Sequence, residues 1–90
     1  FALHQNYPNP FNPITTIRFD IPEESRVSIE IYNVMGQKVA EVVDAHYQPG
    51  FYTVNWAGTN SLGGALSSGM YFYRIQAKDF TAVKKLLLVK

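Results

Sequence analysis

The sequence predicts an all-β protein, more specifically an immunoglobulin- or fibronectin III-like β-sandwich of about seven antiparallel strands with Greek-key connections. Apolar residues alternate with polar residues along most of the chain, which is the period of strands that turn one face to a core. Turn-forming residues interrupt this alternation about every 8–12 residues, which is the strand spacing of a sandwich. No stretch shows a convincing spacing for an amphipathic helix.

Length and composition indicate one small domain and narrow the function classes. The chain has 90 residues, of which 47% are hydrophobic and 14% aromatic, and it has no cysteine. Without cysteine there is no disulfide, thiolate metal site or cysteine nucleophile. The net charge of +1 is dispersed, whereas nucleic-acid binding needs a concentrated basic face. No apolar run approaches the about 20 residues of a membrane helix. Because residue 1 is not Met, we expect a piece excised from a longer protein.

The opening segment, residues 1–13, contains the stretch NYPNPFNP. Proline fixes φ and pushes the preceding residue towards extended conformations, and Asn side chains hold such turns. We therefore expect a rigid lead-in to a sandwich formed by residues 14–90, with Ile14 aimed into its sheet and Tyr7 and Phe11 packed on the sandwich end. A proline-rich ligand for a partner is the alternative, although the segment lacks a PxxP core.

Four stretches carry the clearest alternation of period two. Their expected inward residues are Ile17, Phe19 and Ile21 in TIRFDI, Val27, Ile29 and Ile31 in RVSIEIYN, Tyr52, Val54 and Trp56 in FYTVNWA, and Tyr71, Tyr73, Ile75 and Ala77 in MYFYRIQAK. The stretch KVAEVVDAHY has apolar residues at helical spacing, but its β-branched content favours a strand with a bulge. Gly36, just before it, supplies the positive φ that a short hairpin needs.

The last third of the chain contains a crossover and a final hairpin. Ala57–Gly69 is rich in Gly and Ser, and we expect it to cross from one sheet to the other. In the closing stretch FTAVKKLLLVK, Leu86 and Leu88 are placed to face the core. Leu87 and Val89 are apolar as well, so the final strand is either covered on both faces or forms an edge that meets a partner.

The residues that could carry chemistry do not form a catalytic pattern. His4 and His46 are far apart, and we expect each to be a solvated or hydrogen-bonded surface residue. No HExxH, GxSxG or phosphate-binding loop occurs. Glu23 and Glu24 should face water in a turn. With Asp20 they could hold Ca²⁺ through loop oxygens, but the spacing is not that of an EF-hand. The sequence therefore predicts no catalytic residue and no cofactor.

Exposed aromatic and apolar residues offer contact surfaces instead. Trp56 could stack on a sugar, but its inward register favours the core. The outward register holds Phe51, Met70, Phe72 and Leu87, which would form a contact surface if they cluster. Partial cover by loops is the alternative.

Five stretches follow one another in a specific order: LHQNYPNPFNPITTIRFDIP, VSIEIYNVMGQKV, GFYTVNW, SSGMYFYRI and KKLLLVK. Together they resemble the type A C-terminal sorting domain of the bacterial type IX secretion system, found in Bacteroidetes. The tryptophan-to-SGxYxY portion also resembles the immunoglobulin-like domain of the flagellar hook-capping protein. The structural residues of the match are Asn9, Pro10, Phe11, Asn12, Pro13, Gly36, Trp56, Gly69 and Tyr71. Ala57 departs from the WDG pattern, which lowers the expectation of a calcium site.

This resemblance implies a noncatalytic β-sandwich that directs a larger parent protein through the periplasm to the cell surface or medium. Its implied partners are the parent in cis, an outer-membrane translocon or shuttle, and a sortase-like protease. The resemblance also implies that the end of the domain is recognised. The candidate recognition residues are Lys84, Lys85, Leu87, Val89 and Lys90. Edge pairing of the last strand with a partner is one mode of such recognition. We expect a monomer without nucleic-acid partner or integral membrane segment.

Two other function classes remain open from the sequence. The first is a carbohydrate-binding or adhesive module of a secreted enzyme, for which Phe51, Phe72 and Tyr47 are the available aromatic platforms. The second is a structural spacer, as in the hook-capping relative.

Overall fold

The computed structural model describes residues 1–90 and contains seven strands and no helix. The strands are β1 (Ala2–Leu3), β2 (Thr15–Ile21), β3 (Ser25–Tyr32), β4 (Lys38–Tyr47), β5 (Gly50–Trp56), β6 (Gly69–Ala77) and β7 (Phe80–Leu88). They form a three-stranded sheet in the order β1-β2-β5 and a four-stranded sheet in the order β4-β3-β6-β7. Every pairing within the sheets is antiparallel. The predicted all-β sandwich is confirmed.

The apolar residues that alternate along the strands pack together in one core between the two sheets. β2 and β3 bury every second residue, and the inward side chains of β6 join them. The chain passes between the sheets after β2, β4 and β5, so Ala57–Gly69 is the predicted crossover. There is no helix long and apolar enough to cross a membrane.

In β4 the apolar residues are three or four positions apart because the pairing of β4 with β3 has two irregularities. Val43 lies opposite Ile29, but the next pair joins Glu41 to Glu30, so Val42 is an extra residue. A bulge of this kind shifts the side chains that follow to the other face. Hence Val43 and Ala40, three residues apart, both face the core, and the predicted bulged strand is confirmed.

Gly36 has the positive φ predicted for it, and Gly69 has a positive φ as well. Gly36 has φ +82° in the turn between β3 and β4, and Gly69 has φ +155° at the start of β6. A Cβ atom at either position would meet no other atom within 4 Å. Backbone conformation, rather than lack of space, is therefore what favours glycine at these positions.

Predictions for the opening segment were right for one apolar residue and wrong for two. Phe11 is 1% exposed, and its ring lies 5.6 Å from that of Trp56. Tyr7 is instead 80% exposed. Its backbone forms an antiparallel bridge with Thr16, which places both side chains on the same outward face. Ile14 is also exposed, because Thr15 takes the inward position.

Trp56 belongs to the core, as its register predicts. It is buried, and its Nε1 donates a hydrogen bond to the carbonyl oxygen of Thr59 at 3.0 Å. Tyr71 packs edge-on to the indole ring, with 6.2 Å between ring centroids. Its hydroxyl donates to the carbonyl oxygen of Ser67 at 2.7 Å. Both aromatics anchor the Gly/Ser-rich crossover to the sandwich.

Candidate recognition surface

β7 is an edge strand of the four-stranded sheet, paired with β6 on one side only. Leu86 and Leu88 are buried in the core, as predicted, and Lys84 lies on the same inner side, half-buried. Because successive strand residues point to opposite faces, Lys85 and Leu87 lie on the outer face.

The opening segment covers the backbone edge of the last part of β7. The N–H of Phe11 donates to the carbonyl oxygen of Leu87, and the N–H of Val89 donates to the carbonyl oxygen of Phe11, both at 3.0 Å. The N–H of Leu87 donates to Asn9 Oδ1 at 2.9 Å. The outward backbone groups of Leu87 and Val89 are thus bonded within the chain. A partner strand cannot pair there without displacing the opening segment.

The opening segment is itself fixed by buried polar contacts. The hydroxyl of Tyr73 donates to the carbonyl oxygen of His4 at 2.6 Å and accepts from the N–H of Asn6 at 2.8 Å. Asn6 Nδ2 donates to Thr15 Oγ1 at 2.9 Å. Burial raises the pKa of Tyr73 to about 12, so the hydroxyl keeps its proton and its donor role at neutral pH.

An apolar patch lies on the outer face of the four-stranded sheet. Met70 lies directly opposite Leu87 across the β6–β7 pair, and Phe72 lies between Tyr32 and Lys85. We call this surface the outer patch; its members are Tyr32, Val34, Met70, Phe72, Val83 and Leu87. Val34 and Val83 are 68% and 55% exposed. Exposed apolar residues that cluster in this way usually mark a contact surface.

Three of the four outward apolar residues predicted from the sequence therefore cluster, and one does not. Met70, Phe72 and Leu87 belong to the outer patch, whereas Phe51 lies on the three-stranded sheet and is 83% exposed. Tyr47 packs against Phe19 and Tyr52 between the sheets. The aromatic residues considered for sugar binding are thus divided among separate surfaces and form no common platform.

The lysines of the closing stretch differ in direction. Lys84 points to the inner side of the sheet, while Lys85 and Lys90 are exposed. None of the three forms an ion pair within the chain. Lys90 is held through its backbone, whose N–H donates to Ser68 Oγ at 2.9 Å. The free charge next to the outer patch is therefore positive.

A polar network adjoins the outer patch: Glu30 on β3 lies opposite Arg74 on β6, which in turn lies opposite Val83. Glu30 accepts a hydrogen bond from the Tyr32 hydroxyl and forms ion pairs with Lys38 and Arg74, both at 3.0 Å. The hydrogen bond from Tyr32, with those from Lys38 and Arg74, lowers the pKa of Glu30 to about 2. Arg74 also stacks over the Tyr32 ring at 5.1 Å, so the network holds Tyr32 in place.

Each of the two histidines is hydrogen-bonded to one carboxylate near the surface. His4 Nε2 lies 2.8 Å from Asp20 Oδ2, and His46 Nε2 lies 2.8 Å from Glu24 Oε2. This confirms both histidines as hydrogen-bonded surface residues, although their partners were not evident from spacing. The hydrogen bond from His46 lowers the pKa of Glu24. No group of three or more His, Asp or Glu side chains lies close enough to hold a metal ion.

Sequence reasoning missed the contacts that join the opening segment to β7. Gln5 Nε2 donates to the carbonyl oxygen of Lys85 at 2.7 Å, across 80 residues of sequence, and Asn9 contacts Leu87 in the same way. The only sequence signal was their chemistry, because amide side chains can both donate to and accept from a strand edge.

Two packed antiparallel sheets define an immunoglobulin-like β-sandwich. The chain belongs to the family described as secretion system C-terminal sorting domain, whose sequence profile matches residues 5–90. A search among curated proteins gave no match.

Two solved structures from Porphyromonas gingivalis share the fold. Dimeric latent PorU is 21% identical with a TM-score of 0.75; the match covers 94% of this chain and 9% of PorU. PorZ, described as an essential bacterial surface component of the type-IX secretion system, is 17% identical with a TM-score of 0.64; the match covers 96% of this chain and 11% of PorZ. This chain therefore corresponds to about a tenth of each protein.

Family membership gives the function in outline and confirms the resemblance to a type IX sorting domain, while the assignment to type A stays a prediction. The chain is a type IX secretion C-terminal sorting domain, which directs export of a parent protein to the cell surface or medium and works together with the secretion machinery. The family is noncatalytic. The resemblance to the hook-capping domain stays a prediction.

Proposed function

We propose that the outer-membrane translocon of type IX secretion, or its shuttle, recognises this domain through the outer face of β7, and that a sortase-like protease then removes the domain from its parent. The observation that carries the first step is the outer patch, whose apolar side chains lie side by side on β6 and β7. Burying such side chains against a partner favours association, because it removes apolar surface from water.

The five recognition residues have different parts in this proposal. Lys85 and Leu87 lie on the outer face and would contact the partner directly. Val89 and Lys90 are exposed just beyond β7 and would extend the same surface. Lys84 points inward, so its contribution would be to solubility and to the local positive potential rather than to direct contact.

The division of the chain is also part of the proposal. Residues 1–13 would be the portion nearest the linker from the parent, and residues 14–90 the sandwich. A relation to the hook-capping domain is kept as a hypothesis, supported by the tryptophan and SGxYxY residues alone.

Export of a fused reporter tests the recognition surface. A folded reporter is joined ahead of Phe1, produced in a bacterium with type IX secretion, and measured at the surface and in the medium. Leu87→Lys places a charge in the outer patch, and we expect export to fall about tenfold or more because the charge must be desolvated in the complex.

Phe51→Lys is the matched control on the opposite sheet and should be exported like wild type. Thermal unfolding of the isolated domain shows whether each variant is folded. Wild-type export of a folded Leu87→Lys variant would refute the proposal.

A further inference from the structure

A groove runs between the opening segment and β7, and it shares Met70 and Leu87 with the outer patch. Its volume is about 350 Å³, and its lining residues are Gln5, Asn9, Pro10, Met70, Lys85, Leu86 and Leu87. One wall thus comes from the start of the chain and the other from β6 and β7. The two walls are joined by the hydrogen bonds of Gln5 and Asn9 to the β7 backbone.

The groove combines apolar walls with unpaired hydrogen-bond donors at its rim. Pro10, Met70 and Leu87 provide the apolar surface. Asn9 uses only its Oδ1, as the acceptor for the N–H of Leu87, so its Nδ2 group has no partner within the chain. Lys85 forms no ion pair. An amide N–H and an ammonium group at one rim are the donors that a carboxylate accepts from.

We propose that this groove receives an apolar side chain of the secretion machinery flanked by a carboxylate, so that the signal is composed jointly of the opening segment and β7. This inference rests on the proposed function and names the chemistry of its partner. The occupant is a protein segment with an acidic residue beside its apolar anchor. Charge complementarity supports this choice, because Lys85 lines the groove and its ammonium group has no ion-pair partner within the chain.

The inference changes the role of Asn9. As scaffold, it would need only Oδ1 to hold Leu87. As part of the signal, it also needs Nδ2 to face the partner's carboxylate. The substitution Asn9→Asp separates the two roles, because it keeps an acceptor oxygen for Leu87 and replaces the free donor with a negatively charged oxygen.

The test uses the reporter fusion with Asn9→Asp, Lys85→Glu, Lys85→Arg and Met70→Ser. We expect Asn9→Asp and Lys85→Glu each to lower export about tenfold or more, because like charges facing each other across an interface are strongly unfavourable. Lys85→Arg should stay within about twofold of wild type, since the charge is kept. Met70→Ser should lower export by removing part of the apolar wall. The matched controls Asn55→Asp, on the three-stranded sheet, and Lys78→Glu, in the β6–β7 turn, should stay within about twofold.

The outcomes separate this inference from the proposed function. If Asn9→Asp and Lys85→Glu are folded and exported like wild type while Leu87→Lys is not, the composite groove is refuted and recognition through the outer patch stands. If Leu87→Lys is also exported normally, the proposed function fails as well. Hydrogen exchange of the Leu87 amide reports whether the contact to residue 9 survives. Asn9→Asp decides the groove, because Lys85 also belongs to the recognition surface of the proposed function: a folded Asn9→Asp variant exported like wild type refutes the groove whatever Lys85→Glu does. Should Asn9→Asp unfold the domain, Asn9→Ala takes its place, since it removes Nδ2 without adding a charge; wild-type export of Asn9→Ala would likewise refute the groove.

Discussion

The backbone of Phe11 forms a parallel bridge with Leu88, which joins the first part of the chain to the end of the last strand. One hydrogen bond of this bridge precedes Leu88 and one follows it. The Phe11 side chain then enters the core against Trp56. The opening segment is therefore part of the sandwich that it introduces.

Replacing Phe11 with Ala should destabilise the domain by about 3–5 kcal/mol, since it removes a fully buried aromatic ring and leaves a cavity. The measurement is the free energy of unfolding in denaturant. Hydrogen exchange should also show weaker protection of the Leu87 and Val89 amides. Tyr7→Ala, at an exposed ring in the same segment, should change stability by no more than about 0.5 kcal/mol. Equal effects of the two substitutions would contradict the assignment of Phe11 to the core.

Tyr73→Phe should cost about 1–3 kcal/mol, because it leaves the buried N–H of Asn6 and the carbonyl oxygen of His4 without their partner. It should also change the response to alkaline pH. The folded pKa of about 12 lies above the ordinary value of 10.0. The contribution of Tyr73 to stability is therefore fully present below pH 10 and is lost as pH rises through about 12. This decline should be weaker in Tyr73→Phe and should persist in Tyr71→Phe, where Tyr73 is intact. Thermal unfolding across this range is the measurement.

Glu30 should make stability sensitive to acid. Its folded pKa of about 2 lies below the ordinary value of 4.5, so its contribution is present above pH 4.5 and is lost as pH falls to about 2. The contribution at neutral pH is at most about 3 kcal/mol, since one pKa unit corresponds to about 1.4 kcal/mol and Lys38 and Arg74 are partly screened by solvent. Glu30→Gln should therefore unfold more easily at pH 7 and show a shallower slope below pH 4.5. Glu23→Gln, at an exposed ion pair, is the control; an unchanged slope in Glu30→Gln would count against the network.

Gly36→Ala should destabilise the domain by about 1 kcal/mol, because its φ of +82° is unfavourable for a residue with a Cβ. No neighbouring atom would clash, so the cost is conformational alone. Met35→Ala, in the same turn, is the control and should be close to neutral. The free energy of unfolding measures both, and a neutral Gly36→Ala would mean that the turn can adopt another conformation.

The sequence predicted most of the fold because the strands and turns of this chain are local features. Alternation identified β2, β3 and β6, and Gly36 located a hairpin. Tyr7 was misplaced because its direction depends on a bridge to Thr16, which no local pattern records. The bridge between Phe11 and Leu88 was also missed, since pairing between distant segments leaves no periodic trace in either one.

The candidate site was predicted only in part, because local patterns give the face on which a residue lies but not its distant neighbours. The outward register of β6 and β7 identified Met70, Phe72 and Leu87 as one possible surface. It also included Phe51, because register along a strand gives the face of a sheet but does not say which sheet. The contribution of Gln5 and Asn9 to the edge of β7 required the three-dimensional structure.

The parallel direction of the Phe11–Leu88 bridge has a mechanical consequence. A force that draws residue 1 away from residue 90 acts in opposite directions along two adjacent segments, so it shears their hydrogen bonds together instead of peeling them one at a time. The Phe11 ring must leave its pocket at the same moment. The bridge therefore resists a pulling force applied between residue 1 and residue 90.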